Sequence, residues 1–204
     1  MAVRETAAAG VGIGIELKSA ECRGKEKYKS MELLEIMRKR RSVRKYTGEM
    51  IPEKDLEKVL QAGLLSPSGR SLRPWEFILV RDKETLRAMS ECRAGAAKML
   101  EGADAAIVVI ADAEKQDVWT EDCSIAMSYM HLTASALGLG SCWIQGRLRE
   151  AADGKSTEQY LRDLLGFPAH CRLEAILSLG VPQEQKEAYS IDSLLTEKIH
   201  REKY

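Results

Sequence analysis

Apolar positions become periodic at Met31 and stay so along most of the remaining chain. Leu33, Leu34, Ile36 and Met37 crowd one side of a helix that runs into the basic stretch Arg38 to Arg41. Pro52 and Glu53 open a second helix, with Leu56, Val59, Leu60, Gly63 and Leu64 at helical spacing, and Ser66-Pro67-Ser68-Gly69 stops it. Phe77 to Val80 then reads as a buried strand, Lys83 to Leu100 as a helix, Ala105 to Ala111 as a second buried strand, and Asp117 to Leu137 as a long, deeply buried helix. Gly140 to Gln145 predicts a third strand, Thr157 to Leu165 a helix, Leu173 to Val181 a fourth strand and Ile191 to His200 a last helix. Strands separated by helices imply a layered α/β or α+β sheet, because continuous apolar strands need cover on both faces. The pattern leaves strand order open, and no internal repeat appears.

Residues 1–30 lack this periodicity and read as an N-terminal tail to a single domain over 31–204. A chain of 204 residues can build one full core but not two comfortable ones. The stretch Ala7 to Ile15 is too short and Gly-rich for a secretory segment, with only Arg4 before it and no convincing cleavage site after it. Gly10, Gly12 and Gly14 have neither the preceding strand nor the spacing of a dinucleotide loop.

Composition narrows the function classes. The chain is 45% hydrophobic and 30% charged, a globular profile. Lys plus Arg number 31 and Asp plus Glu number 31, so the weak long-range field argues against nucleic acid or an acidic membrane as partner. No run approaches the roughly 20 apolar residues of a spanning helix. The five cysteines, Cys22, Cys92, Cys123, Cys142 and Cys171, are odd in number and form no C-x-x-C pair. That argues against a disulfide framework or structural zinc and fits reduced thiols in a cytoplasm.

Three stretches carry candidate chemistry. Arg40-Arg41-Ser42-Val43-Arg44 lies in a run from Arg38 to Lys45 with six basic residues and no acid. Arginine forks and a serine hydroxyl suit a phosphate, although an ordinary helix end also favours bases. Ser66 to Phe77 is a polar loop ending on Pro74 and Trp75, able to read the edge of a flat heterocycle or simply to join helix to strand. Leu137-Gly138-Leu139-Gly140-Ser141-Cys142-Trp143-Ile144-Gln145 is either a wall for a ligand or a plain helix cap feeding a strand. His131, His170 and His200 fall far apart with no companion acid and read as structural. Cys142 reads as a small buried hydrophobe before a redox thiol.

Taken in order, R-R-S-x-R at 40–44, P-S-G-x-x-x-x-P-W-x-F at 67–77 and G-L-G-S-C-W-I-Q at 138–145 resemble the nitroreductase family. The resemblance runs from Met31 to Tyr204, and the ending Leu194 to His200 is similar to a short-chain subgroup. It implies an α+β fold with a mixed central sheet flanked by helices, in an intertwined homodimer with FMN at the subunit interface. By the same resemblance Arg40, Arg41, Ser42 and Arg44 hold the phosphate and ribityl chain, with Arg44 toward the pyrimidine edge. Pro67, Ser68, Gly69 and Ser71 line the flavin of the partner subunit, and Trp143, Ile144 and Gln145 lie against the ring near N5. Lys186 is the local candidate for a further phosphate contact. Ser71 and Arg73 depart from the Asn and Gln that many relatives carry there. The implied activity passes electrons from NADH or NADPH through FMN N5 to nitroaromatics, quinones or similar small acceptors by a ping-pong mechanism, with no catalytic side chain. A flavin binder without turnover, or a relative specialised for reductive dehalogenation or flavin breakdown, are the other readings.

Overall fold

The computed structural model describes residues 32–204; the tail, its glycine run and Cys22 lie outside the described residues. The four apolar runs form β1 Trp75–Val80, β2 Ala105–Asp112, β3 Gly140–Gln145 and β4 Cys171–Gly180. They make one sheet in the order β1-β2-β4-β3, each neighbour antiparallel. Among the described residues, parallel pairing is confined to an isolated bridge between Ser42 and Ser141 on the outer edge of β3. The α+β class follows, but the described sheet is antiparallel rather than the mixed sheet expected, because Ser42, which makes the parallel bridge to Ser141, lies outside its strands.

Continuous apolarity in β2 reflects cover on both faces. Ala105, Ile107, Val109 and Ala111 join one core cluster with α2 Glu53–Leu64 and α4 Trp119–Ala136. Ala106, Val108 and Ile110 join the other, with α3 Lys83–Met89 and α5 Thr157–Leu165. The β2–β4 register slips between Val109 and Ile110, leaving Glu174 without a partner residue in a bulge.

Two predicted helices are corrected. The helix expected over Lys83 to Leu100 ends at Met89, and a separate 3-10 turn covers Lys98–Gly102. Between them Gly95 takes φ +67, Ala94 gives its N–H to Glu150, and Ala152 gives its N–H to the Glu91 carbonyl. Long-range main-chain bonds thus replace the helical ones. The helix expected over Ile191 to His200 is two 3-10 turns, Ile191–Ser193 and Thr196–Lys198. Leu194, Leu195 and Ile199 are exposed, so no core face stabilises a helix too short to stand alone. Among the described residues, no helix is long and apolar enough to cross a membrane.

Candidate functional site

The two readings of the basic run divide at residue 40. Arg38 and Lys39 close the last turn of α1, Leu33–Lys39, and pair with Glu35 at 2.8 and 3.1 Å, as a solvated helix end would. Arg40 caps that helix in extended conformation, and the chain then runs along β3. Val43 donates its N–H to the Ser141 carbonyl at 3.0 Å, and Thr47 donates to Val181 at 3.0 Å. Tyr46 is buried beneath this segment, its hydroxyl 2.7 Å from Ser178 Oγ and donating to the Val43 carbonyl. Burial raises its pKa.

Along an extended segment successive side chains point to opposite sides, and Arg40 and Arg41 open onto different clefts. Arg41 lines a cleft of about 590 Å³ with Lys39, Lys186, Ser141 and Glu184. Its guanidinium donates to the Glu187 carbonyl and lies 4.5 Å from the Tyr189 ring centroid. Lys186 Nζ donates to the Ser42 carbonyl at 2.7 Å, so the one basic residue proposed from the far end of the chain is placed beside the arginine segment. Glu184 accepts the Arg44 N–H at 2.7 Å, which is the main reason its carboxyl titrates low; Lys186 lies 3.6 Å away.

Arg40 instead meets His131, Nη1 to Nε2, at 2.7 Å, in a cleft of about 220 Å³ shared with Met37, Ser128 and Leu132. Arginine can only donate, so Nε2 accepts and the ring proton sits on Nδ1, directed at Ser141 Oγ 2.5 Å away. Burial, then the Arg40 charge, push the His131 pKa down to about 4, which keeps the ring neutral. The sequence reading missed this role; the available signal was one imidazole among the buried apolar residues of α4.

The loop before β1 is built from elsewhere. Gly69 donates its N–H to Asp122 Oδ1 at 2.8 Å, and Gln116 Nε2 donates to the Gly69 carbonyl at 2.8 Å. Gln116 also accepts from Arg70, and Ser68 Oγ accepts the Arg73 N–H at 2.9 Å. Asp122 and Gln116 are both buried. They hold a backbone in which Arg70, Ser71 and Arg73 take φ of 52, 57 and 49, conformations that cost non-glycine residues of order 1 kcal/mol or more each. Pro67 and Ser71 are exposed at its tip. Among the described residues, no hydrogen bond or ion pair joins this loop to the arginine segment.

On β3, Trp143 Nε1 donates to Gln145 Oε1 at 2.9 Å, and both side chains are part-exposed. Ile144 is 1% exposed in the core cluster on the other sheet face, so this position offers the Trp143 side only main chain. Cys142 is likewise buried, and that burial raises its thiol pKa against the pull of Arg44, Lys186 and Arg40. A protonated, buried thiol suits packing rather than redox chemistry.

A family model described as the nitroreductase family matches residues 37–98 and 89–181. A candidate NADH dehydrogenase/NAD(P)H nitroreductase of Archaeoglobus fulgidus is 40% identical over 178 residues, covering 85% of this chain and 99% of that protein. An FMN-dependent nitroreductase of Clostridium difficile R20291 superposes with a TM-score of 0.81 at 46% identity, covering 83% of this chain and 98% of that one. A candidate nitroreductase of Desulfovibrio desulfuricans, solved in complex with FMN, superposes with a TM-score of 0.68 at 26% identity, covering 85% and 98%.

Proposed function

The chain belongs to the nitroreductase family, and we propose that it is an FMN-dependent oxidoreductase that uses NADH or NADPH to reduce flat acceptors such as nitroaromatics and quinones. The observation that carries this reading is the arginine segment: Arg40 to Arg44 leaves its helix, fastens along β3 and receives Lys186 at Ser42. The donor set fits a flavin phosphate, since guanidinium forks, a hydroxyl and an ammonium are gathered along one short stretch of main chain, with Arg40 on one side of it and Arg41 and Lys186 on the other. A cleft of about 590 Å³ beside them is within the usual range for a cofactor site.

In this reading Arg40, Arg41, Ser42 and Lys186 hold the phosphate and ribityl chain. Arg44 favours negative charge at the pyrimidine edge of the ring, its main chain fixed by Glu184. Trp143 and Gln145 brace each other against the ring and exclude water. FMN held there would supply the redox chemistry between a nicotinamide donor and a second substrate that use the same pocket in turn, and ping-pong kinetics would follow. The loop with Pro67, Ser68, Gly69 and Ser71 serves the flavin of a second subunit, in keeping with its lack of polar contact to the arginine segment of its own chain. Residues 31–204 are the FMN-binding domain of each subunit.

The test is an absorbance spectrum of the purified protein before and after anaerobic addition of NADPH, then NADH. A flavin spectrum that bleaches is expected. Bound flavin that neither nucleotide bleaches overturns turnover, and a protein that takes up no FMN overturns the site.

A further inference from the structure

We propose that His131 is a positioning residue for Arg40: as a neutral acceptor it fixes the guanidinium facing a phosphate-sized anion without cancelling its charge. This rests on the reading of Arg40 as part of the phosphate site.

His131 sits on α4 between Met130 and Leu132, with Met127 and Ala134 buried nearby, and is itself 7% exposed. Packing alone would favour an apolar side chain there, because a buried imidazole forfeits water. Both ring nitrogens are instead engaged, Nε2 by Arg40 at 2.7 Å and Nδ1 by Ser141 at 2.5 Å. Ser141 is the residue whose carbonyl accepts the Val43 N–H and which bridges to Ser42. The ring therefore ties the Arg40 side chain to the same point of β3 that holds the backbone of its segment.

The chemistry of the acceptor matters. Three arginines elsewhere meet carboxylates: Arg38 meets Glu35, Arg81 meets Asp104, and Arg162 meets Glu158. Among the described residues, no carboxylate lies within ion-pair distance of Arg40. A carboxylate in place of His131 would orient the guanidinium equally well but neutralise it. A low pKa keeps the ring uncharged, and an imidazolium would repel Arg40 and lose its acceptor. The guanidinium keeps its charge and further N–H groups for an anion, and a phosphate monoester is a fitting ligand for them.

The test compares FMN with riboflavin, which lacks the phosphate, on the full chain freed of flavin. Dissociation constants are measured for the unaltered protein, His131→Leu, His131→Gln, Arg40→Ala and the Arg40→Ala/His131→Leu double variant. His131→Leu should weaken FMN about tenfold and leave riboflavin within about twofold. His131→Gln, whose amide oxygen can replace Nε2 as acceptor, should recover most of the loss. In the Arg40→Ala background His131→Leu should add nothing. Equal weakening of both flavins by His131→Leu, or additive effects in the double variant, overturns the positioning role and leaves the phosphate site standing. If Arg40→Ala itself does not separate FMN from riboflavin, the phosphate reading fails and this inference with it. The ring ¹⁵N resonances of His131 in the unaltered chain give a second readout independent of folding effects. They should shift with FMN and not with riboflavin, and identical responses overturn the proposal.

Discussion

Asp122 is 3% exposed on α4, yet its Oδ1 takes the Gly69 N–H at 2.8 Å, and its Oδ2 lies 3.5 Å from Gln116 Nε2. Asp122→Ala should leave the Gly69 N–H without its acceptor and cost about 1–3 kcal/mol in denaturant unfolding. Asp122→Asn, keeping an acceptor oxygen, should cost less, and equal losses would count against this account of the loop. His131 makes a pH prediction. Its folded pKa of about 4 lies below the ordinary 6.5, so between those values the unfolded chain binds a proton that the folded chain does not. The stability it contributes is complete above pH 6.5 and falls as pH drops toward 4, by up to about 3 kcal/mol. Burial raises the Glu174 pKa, and that carboxyl works in the opposite direction above its ordinary value. Both proteins carry Glu174, so the comparison of unaltered chain with His131→Gln removes it; the variant should show the flatter unfolding profile from pH 6.5 to 4.5. Parallel profiles would exclude His131 as the source. At this scale the sequence displays the donors and hides their supports. Arg40, Arg41, Ser42 and Arg44 are legible because their chemistry is local, whereas His131 reaches Arg40 across 91 positions and Asp122 reaches Gly69 across 53.

β3 and the arginine segment meet across very little space, and Gly140 sets that spacing. A Cβ at Gly140 would stand 2.8 Å from Val43 Cγ1 and 3.2 Å from Pro182 Cβ. Gly140→Ala should therefore push residues 42–44 off the strand, costing about 1–3 kcal/mol as overpacking does and lowering FMN affinity with it. Thermal unfolding and flavin titration of the same sample check this, and an unchanged affinity would separate the strand contact from cofactor binding. The strands and α2, α4 and α5 were readable because their apolar spacing matches the period of the element that buries it. Thr157–Leu165 and Gly140–Gln145 appear with the boundaries expected. The segment from Ser90 to Ala97 was not readable as a break, since Met89, Cys92 and Leu100 are buried at spacings a continuous helix would also give, while its main chain bonds to Glu150 and to Ala152. The stretch from Ile191 to His200 failed for the opposite reason: its apolar residues have helical spacing, but among the described residues none of them is buried.

That exposed surface is the strongest argument about the whole molecule. Ile191, Leu194, Leu195 and Ile199 are each more than half exposed, and so are Leu33 and Leu34 of α1. A small groove between α1 and the C-terminal stretch, lined by Leu34, Met37, Tyr189, Ile191 and Leu194 among others, joins part of this apolar surface. A single chain in water rarely leaves so much contiguous apolar surface uncovered, and the proposed dimer would cover it with a second copy of this chain, whose flavin the loop around Ser68 would serve. Removing residues 190–204 tests this cleanly. Tyr189 stays, with its N–H on the Arg38 carbonyl and Arg41 over its ring, so the arginine segment keeps its own contacts. None of the removed residues belongs to either core cluster, so the sheet should fold. The shortened chain should elute at monomer mass in light-scattering chromatography and lose FMN with it, as the proposed site shared between two subunits requires. A shortened chain that remains dimeric and flavin-loaded would place the interface elsewhere. A monomer that still holds FMN tightly would show that the arginine segment suffices and that the loop serves another purpose.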